Sequence, residues 1–91
     1  MLPTVWSETA TTDMEQLIAY LGEQNPRAAR MVRNLIVDAA ERLGVYPHMF
    51  RVGREPDTRE AVVHPNYILI YRVELDAVRL LRVVHATQRY P

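Results

Sequence analysis

The chain is 91 residues long with no net formal charge, no cysteine and no lysine, so all 11 of its basic side chains other than histidine are arginines. That length allows one hydrophobic core and is too short for two. The composition excludes disulfides and thiolate metal sites, and it argues against a general nucleic-acid binder.

No apolar run approaches the roughly 20 residues that span a bilayer. The opening MLPTVWSETA lacks the basic and apolar regions of a signal peptide. A cytoplasmic protein without membrane contact is expected. Charge is unevenly spread: residues 1–50 carry six acids and four arginines, whereas residues 51–91 carry seven arginines and five acids. Arginine binds phosphate and carboxylate through a planar fork and does not readily lose its proton. Any proton transfer would therefore fall to His, Glu, Asp or Tyr.

Pro3–Ser7 reads as a short strand anchored by Val5 and Trp6, able to pair with the edge of a later sheet. Thr12 and Glu15 fit a capping box, and Met14, Leu17, Ile18 and Leu21 follow at helical spacing. This predicts a helix of about ten residues ending at Gly22. A second helix restarts at once, with Asn25 as N-cap and Pro26 in the first turn. Ala28, Val32, Leu35, Ile36, Ala39 and Leu43 form its apolar stripe, and Gly44 is expected to stop it. So short a link makes the two helices an antiparallel hairpin.

Residues 48–57 read as an irregular segment. Three antiparallel strands follow, at Arg59–Val63, Tyr67–Val73 and Val78–His85, rich in branched and aromatic residues. His64-Pro65-Asn66 and Glu74-Leu75-Asp76 supply the turns between them. In the middle strand one face carries Tyr67, Leu69, Tyr71 and Val73 and the other Ile68, Ile70 and Arg72, and the two tyrosines are expected in the core. The third strand is apolar on both faces, as a central strand is. The expected fold is a compact α+β domain spanning residues 1–91, a two-helix hairpin packed on a three- to four-stranded antiparallel sheet. Arg59, Arg72, Arg79 and Arg82 would be held on that rigid sheet, suited to phosphate or carboxylate. The three scattered histidines lack a ligand spacing, and no glycine-rich phosphate loop occurs, so no metal and no cofactor are expected.

The segments GREPDTRE, NYILIYRVELDAV and LLRVVH, the last followed by an arginine and an aromatic, occur in an order and spacing that resembles the RelE/ParE superfamily of bacterial toxins. The run from Thr58 to His85 is closer to ParE-like sequences. The resemblance implies the toxin half of a type II toxin–antitoxin module, a growth-arresting protein neutralised in a hetero-oligomer with its cognate antitoxin. ParE-like members act on DNA gyrase without established catalytic residues. RelE-like members cut mRNA on the ribosome without a metal ion. Asp57 stands where relatives often carry glycine.

In the endoribonuclease alternative Arg59 and Arg82 clamp the phosphate, His85 and Glu60 carry protons, and Tyr90 stacks or donates one. Arg82 and His85 are three apart, however, and on a regular strand they point to opposite faces unless a bulge or the strand end turns one of them. A structural or partner-contact role for His85 stands beside catalysis, and a cross-strand ion pair stands beside any functional use of Arg59 and Glu60. Arg51, Arg54, Arg72 and Arg79 suit the acidic toxin-binding end of an antitoxin; Arg72 can equally pair with Glu74. An exposed sheet edge or the groove beside the helical hairpin would receive that partner.

Overall fold

Asn25 is the whole connection between the two helices. Its backbone N–H closes the first helix on the Leu21 carbonyl at 2.7 Å, and its side-chain oxygen accepts from the N–H groups of Arg27 and Ala28 at 3.1 and 3.2 Å. One residue thus satisfies the orphan groups of two helix ends and forces the chain to reverse. The computed structural model describes residues 1–87. Its elements are β1 (Thr4–Trp6), α1 (Glu8–Gln24), α2 (Pro26–Val45), β2 (Arg51–Val52), β3 (Arg59–His64), β4 (Tyr67–Val73) and β5 (Val78–His85).

The expected α+β layout is present: a helical hairpin covers one face of a sheet, and a short opening strand joins that sheet. The sheet has five strands rather than three or four, in the order β1-β5-β4-β3-β2. It is mixed rather than purely antiparallel, because β1 runs parallel to β5, with Thr4 opposite Val78 and Trp6 opposite Leu80. The extra strand is β2, a two-residue rung pairing Arg51 with Glu60 and Val52 with Arg59 inside the segment expected to be irregular. Two residues carry too little periodicity to announce a strand.

The helix boundaries also differ from expectation. α1 starts at Glu8, capped by Ser7 rather than Thr12; the Ser7 hydroxyl oxygen accepts from Ala10 N–H at 3.0 Å and its O–H donates to the Leu81 carbonyl at 3.2 Å. Contact with β5 selects that cap, and Thr12 is left exposed inside the helix. The helix continues through Gly22 to Gln24. Gly44 likewise lies inside α2, whose C-cap is Tyr46. A Cβ at Gly44 would collide with the Leu2 carbonyl oxygen, and Leu2 N–H donates to the Gly44 carbonyl at 2.9 Å. The glycine serves the close approach of the chain entering β1, not helix termination.

Between the layers lie Ile36 and Leu43 of α2, Leu69 and Tyr71 of β4, and Val78 and Leu80 of β5, all fully buried. Truncating such a side chain to alanine costs about 2–5 kcal/mol. Tyr67 and Tyr71 belong to this core, as their alternation predicted, and Trp6 packs partly buried against it. On the other face Ile68, Ile70 and Val84 form a second buried cluster with Leu81 and Ala86 against it. β5 sends Val78, Leu80 and Val83 into the helix-side core and Leu81 and Val84 into the cluster on the other face, which accounts for its two apolar faces.

Candidate functional site

The ladder between β4 and β5 is interrupted once. Ile70 pairs with Arg82 but Tyr71 pairs with Leu80, so Leu81 is an extra residue on β5. Such a bulge bends its strand and re-aims the neighbouring side chains. Leu81 joins the apolar cluster on the face away from the helices, while Arg82 reaches helix α1. Its Nε donates to Asp13 Oδ2 at 2.8 Å and its Nη2 to Asp13 Oδ1 at 3.3 Å. The carboxylate hydrogen bond and charge hold the guanidinium proton more firmly than usual.

Asp13 also accepts from the backbone N–H of Val83 at 3.0 Å. β1 ends opposite Leu80, so the outer edge of β5 beyond that point has no neighbouring strand. A side chain from α1 takes the place of the missing ladder partner. This satisfies a backbone donor that burial would otherwise leave costly.

His85 closes β5 opposite Tyr67, their rings nearly perpendicular at 86° with centroids 5.7 Å apart. Its Nδ1 accepts from Thr87 N–H at 3.2 Å and lies 2.8 Å from the Thr87 hydroxyl oxygen. A nitrogen that accepts an N–H carries no proton, so the neutral ring bears its proton on Nε2. Asp13, Gln16, Tyr20, Tyr67, Arg82 and His85 are among the residues around one cavity of about 360 Å³ between α1 and the free end of β5. Arg82 and His85 thus line one cavity although the strand between them is regular: Arg82, paired with Ile70, reaches it around the unpaired edge of β5 toward Asp13.

Arg59 is not part of that site. It pairs with Tyr71 on β4, whereas His85 pairs with Tyr67, about 13 Å away along the strand at 3.3 Å per residue. Its guanidinium donates to the Phe50 carbonyl at 2.7 Å and, at a longer 3.4 Å, to that of His48. Burial raises the pKa of the neighbouring Tyr71 phenol, partly offset by the Arg59 charge. Tyr71 O–H donates to the Pro47 carbonyl at 2.8 Å, so phenol and guanidinium together pin the segment leaving α2 to the sheet. Glu60 is 3% exposed and its partner is Arg51 rather than Arg59: Arg51 Nε and Nη2 reach it at 3.1 and 2.9 Å, and Arg54 N–H at 3.2 Å. Tyr90 lies outside the described residues.

The four arginines suited to an antitoxin form two groups, each gathered around one carboxylate of the sheet region. Arg51 and Arg54 surround Glu60 at the β2 edge. Arg72 and Arg79 are register partners across β4 and β5 and converge on Glu74, at 3.7 and 3.1 Å. The hydrogen bond from Arg79 holds the Glu74 carboxyl below its ordinary pKa, and Glu74 raises that of Arg79 in return. All four side chains remain more than a third exposed, between 39% and 59%, so a partner's carboxylates can reach them. The Arg72–Glu74–Arg79 pairs, open to solvent, contribute little to stability and exchange readily, whereas Glu60 is buried and depends on its arginines to balance an interior charge.

Sequence reasoning missed Asp13, Gln16 and Tyr20. Their signal was present, since Asp13, Gln16, Leu17 and Tyr20 recur at the spacing of one helix face. It was obscured by reading Asp13 as part of a helix start. Among the described residues no cluster of three His, Asp or Glu side chains could hold a metal ion, and no helix is long and apolar enough to cross a membrane.

A two-helix hairpin packed on a five-stranded sheet is a fold shared with solved structures. The chain matches a chain of the chromosomal ParDE TA system from P. aeruginosa with a TM-score of 0.83 at 18% identity, covering 93% of this chain and 96% of that one. A conserved hypothetical protein from Helicobacter pylori gives a TM-score of 0.67 at 20% identity, covering 97% and 98% of the two chains. In sequence, the chain is 37% identical to the putative toxin Y4kP of Sinorhizobium fredii over 87 residues, covering 94% of this chain and 90% of that protein. It is 32% identical to toxin RelE2 of Caulobacter vibrioides over 88 residues, covering 97% and 99%. The family described as ParE toxin of type II toxin-antitoxin system, parDE, matches residues 4–90. The chain belongs to the ParE toxin family of type II toxin–antitoxin systems.

Proposed function

We propose that this toxin arrests growth in the cytoplasm by a protein–protein contact, ultimately on DNA gyrase, and that a cognate antitoxin neutralises it by direct binding. The observation that carries this reading is the dispersal of the groups that RNA cleavage would need. Cutting RNA requires a base, an acid and cations around one phosphate. Arg59 sits far from Arg82 and His85 and spends its guanidinium on backbone carbonyls, Arg82 is held by Asp13, and Glu60 is an interior counter-ion. The exposed arginine pairs, Arg51 with Arg54 and Arg72 with Arg79, are the antitoxin contacts in this reading. Acidic side chains of the antitoxin would add to Glu60 and add to or replace Glu74.

One observation favours the second reading, a ribosome-dependent mRNA endoribonuclease. Arg82 and His85 line the same cavity, beside Tyr67. Inducing the chain alone and then with its antitoxin, while following DNA damage signalling and mRNA 5′ ends, separates the two. The expected result is growth arrest with damage signalling, no new mRNA ends, and no loss of toxicity in His85→Ala. Cleavage in the ribosomal A site that falls about 10²–10³-fold in His85→Ala or Arg82→Ala would overturn it.

A further inference from the structure

Helix α2 buries one stripe, Ala29, Val32, Ile36, Ala39, Ala40 and Leu43, against the sheet and α1. A second stripe lies on its outer side. Met31, Leu35, Asp38, Arg42 and Val45 are all exposed and follow one another at steps of four, three, four and three residues. That is the spacing of a coiled-coil seam, and at 1.5 Å per residue it runs about 21 Å along the helix. Met31, Leu35 and Val45 are 57%, 39% and 49% exposed, and a shallow groove of about 730 Å³ runs between this stripe and the segment entering β1. Surface helices normally turn charged residues outward, so apolar residues at seam spacing need a partner.

The charges in the seam indicate which partner. Asp38 and Arg42 form no ion pair within the chain among the described residues. When two copies of α2 lie antiparallel about a two-fold axis near residue 40, Asp38 of each faces Arg42 of the other, and Leu35 of each faces Val45. A two-fold interface must be complementary to itself, and this stripe is. An acidic peptide would meet Asp38 and Glu41 as like charges on the rim of the same groove. We infer that the outer face of α2 is a self-association surface, through which two copies of this toxin pair in antiparallel fashion.

The arrangement is tested by charge exchange in the full chain, read by sedimentation velocity from micromolar to sub-millimolar concentration. The wild-type chain is expected to shift from monomer to dimer. Asp38→Arg sets arginine against arginine at both contacts and Arg42→Asp sets acid against acid, so each variant alone should self-associate about tenfold more weakly or worse. Mixed, the two variants restore both opposite-charge contacts, and a heterodimer of wild-type affinity should form. Leu35→Glu should give a monomer with unchanged circular dichroism. A wild-type chain that stays monomeric throughout would overturn the inference, as would a mixture no tighter than its components. Protection of the α2 stripe from hydrogen exchange only when antitoxin is added would also overturn it and assign the stripe to the antitoxin.

Discussion

Asp57 is the one non-glycine residue with positive φ among the described residues, at 62°. It lies in the turn between β2 and β3, where Thr58 N–H and O–H both return to the Glu55 carbonyl and Gly53 N–H bonds the Thr58 carbonyl. Aspartate tolerates the left-handed region better than most residues, which is how a non-glycine residue is accommodated at this turn. Asp57→Asn should leave the urea midpoint nearly unchanged, whereas Asp57→Val should cost about 1–2 kcal/mol. Glu74 gives a pH prediction. Its folded pKa lies below the ordinary 4.5, chiefly through the hydrogen bond with Arg79. The stability it contributes is therefore present above about pH 4.5 and lost as pH falls through the lower folded value. Glu74→Gln should flatten that acid limb in urea titrations at several pH values, and added salt should shrink the difference because both partners meet solvent.

At the scale of elements, α1 does two jobs: it covers the core, and through Asp13 it completes the edge of β5. Asp13→Ala strands the Val83 N–H and leaves Arg82 without its carboxylate, at an expected cost of about 1–3 kcal/mol. Asp13→Asn keeps an acceptor for Val83 and should cost less. Amide exchange at Val83 distinguishes the two effects, since only the alanine variant should accelerate it strongly. The helices and long strands were readable locally, from the Asn25-Pro26 junction and the alternation in Tyr67–Val73. β2 was not, because a two-residue strand exists only through its pairing with β3. The start of α1 was placed at Thr12, whereas the contact of Ser7 with β5 sets the cap earlier in the chain, which no local pattern announced.

For the whole molecule the sheet spreads its arginines over separate regions, each with an internal partner, rather than gathering them around one phosphate. Arg59 then acts as a structural strut joining β3 to the segment after α2. Arg59→Ala should lower stability by about 1–3 kcal/mol through loss of a charge-assisted bond to the Phe50 carbonyl, while growth arrest persists wherever the variant remains folded. Urea unfolding and a growth assay on the same variant check this; a fully stable but non-toxic Arg59→Ala would instead point to a direct functional role.

The amino-acid sequence alone determined the element types, the helical hairpin, the apolar faces and the abundance of arginine, because caps, turns and periodicity act over a few residues. Only the tertiary structure decided which carboxylate meets which guanidinium. Asp13 and Arg82 are 69 residues apart, and their meeting depends on where β1 stops, because the edge of β5 beyond Leu80 is left open to α1. Because side chains alternate faces with every residue, a single extra residue in one strand decides what its neighbours touch, and no local pattern encodes it.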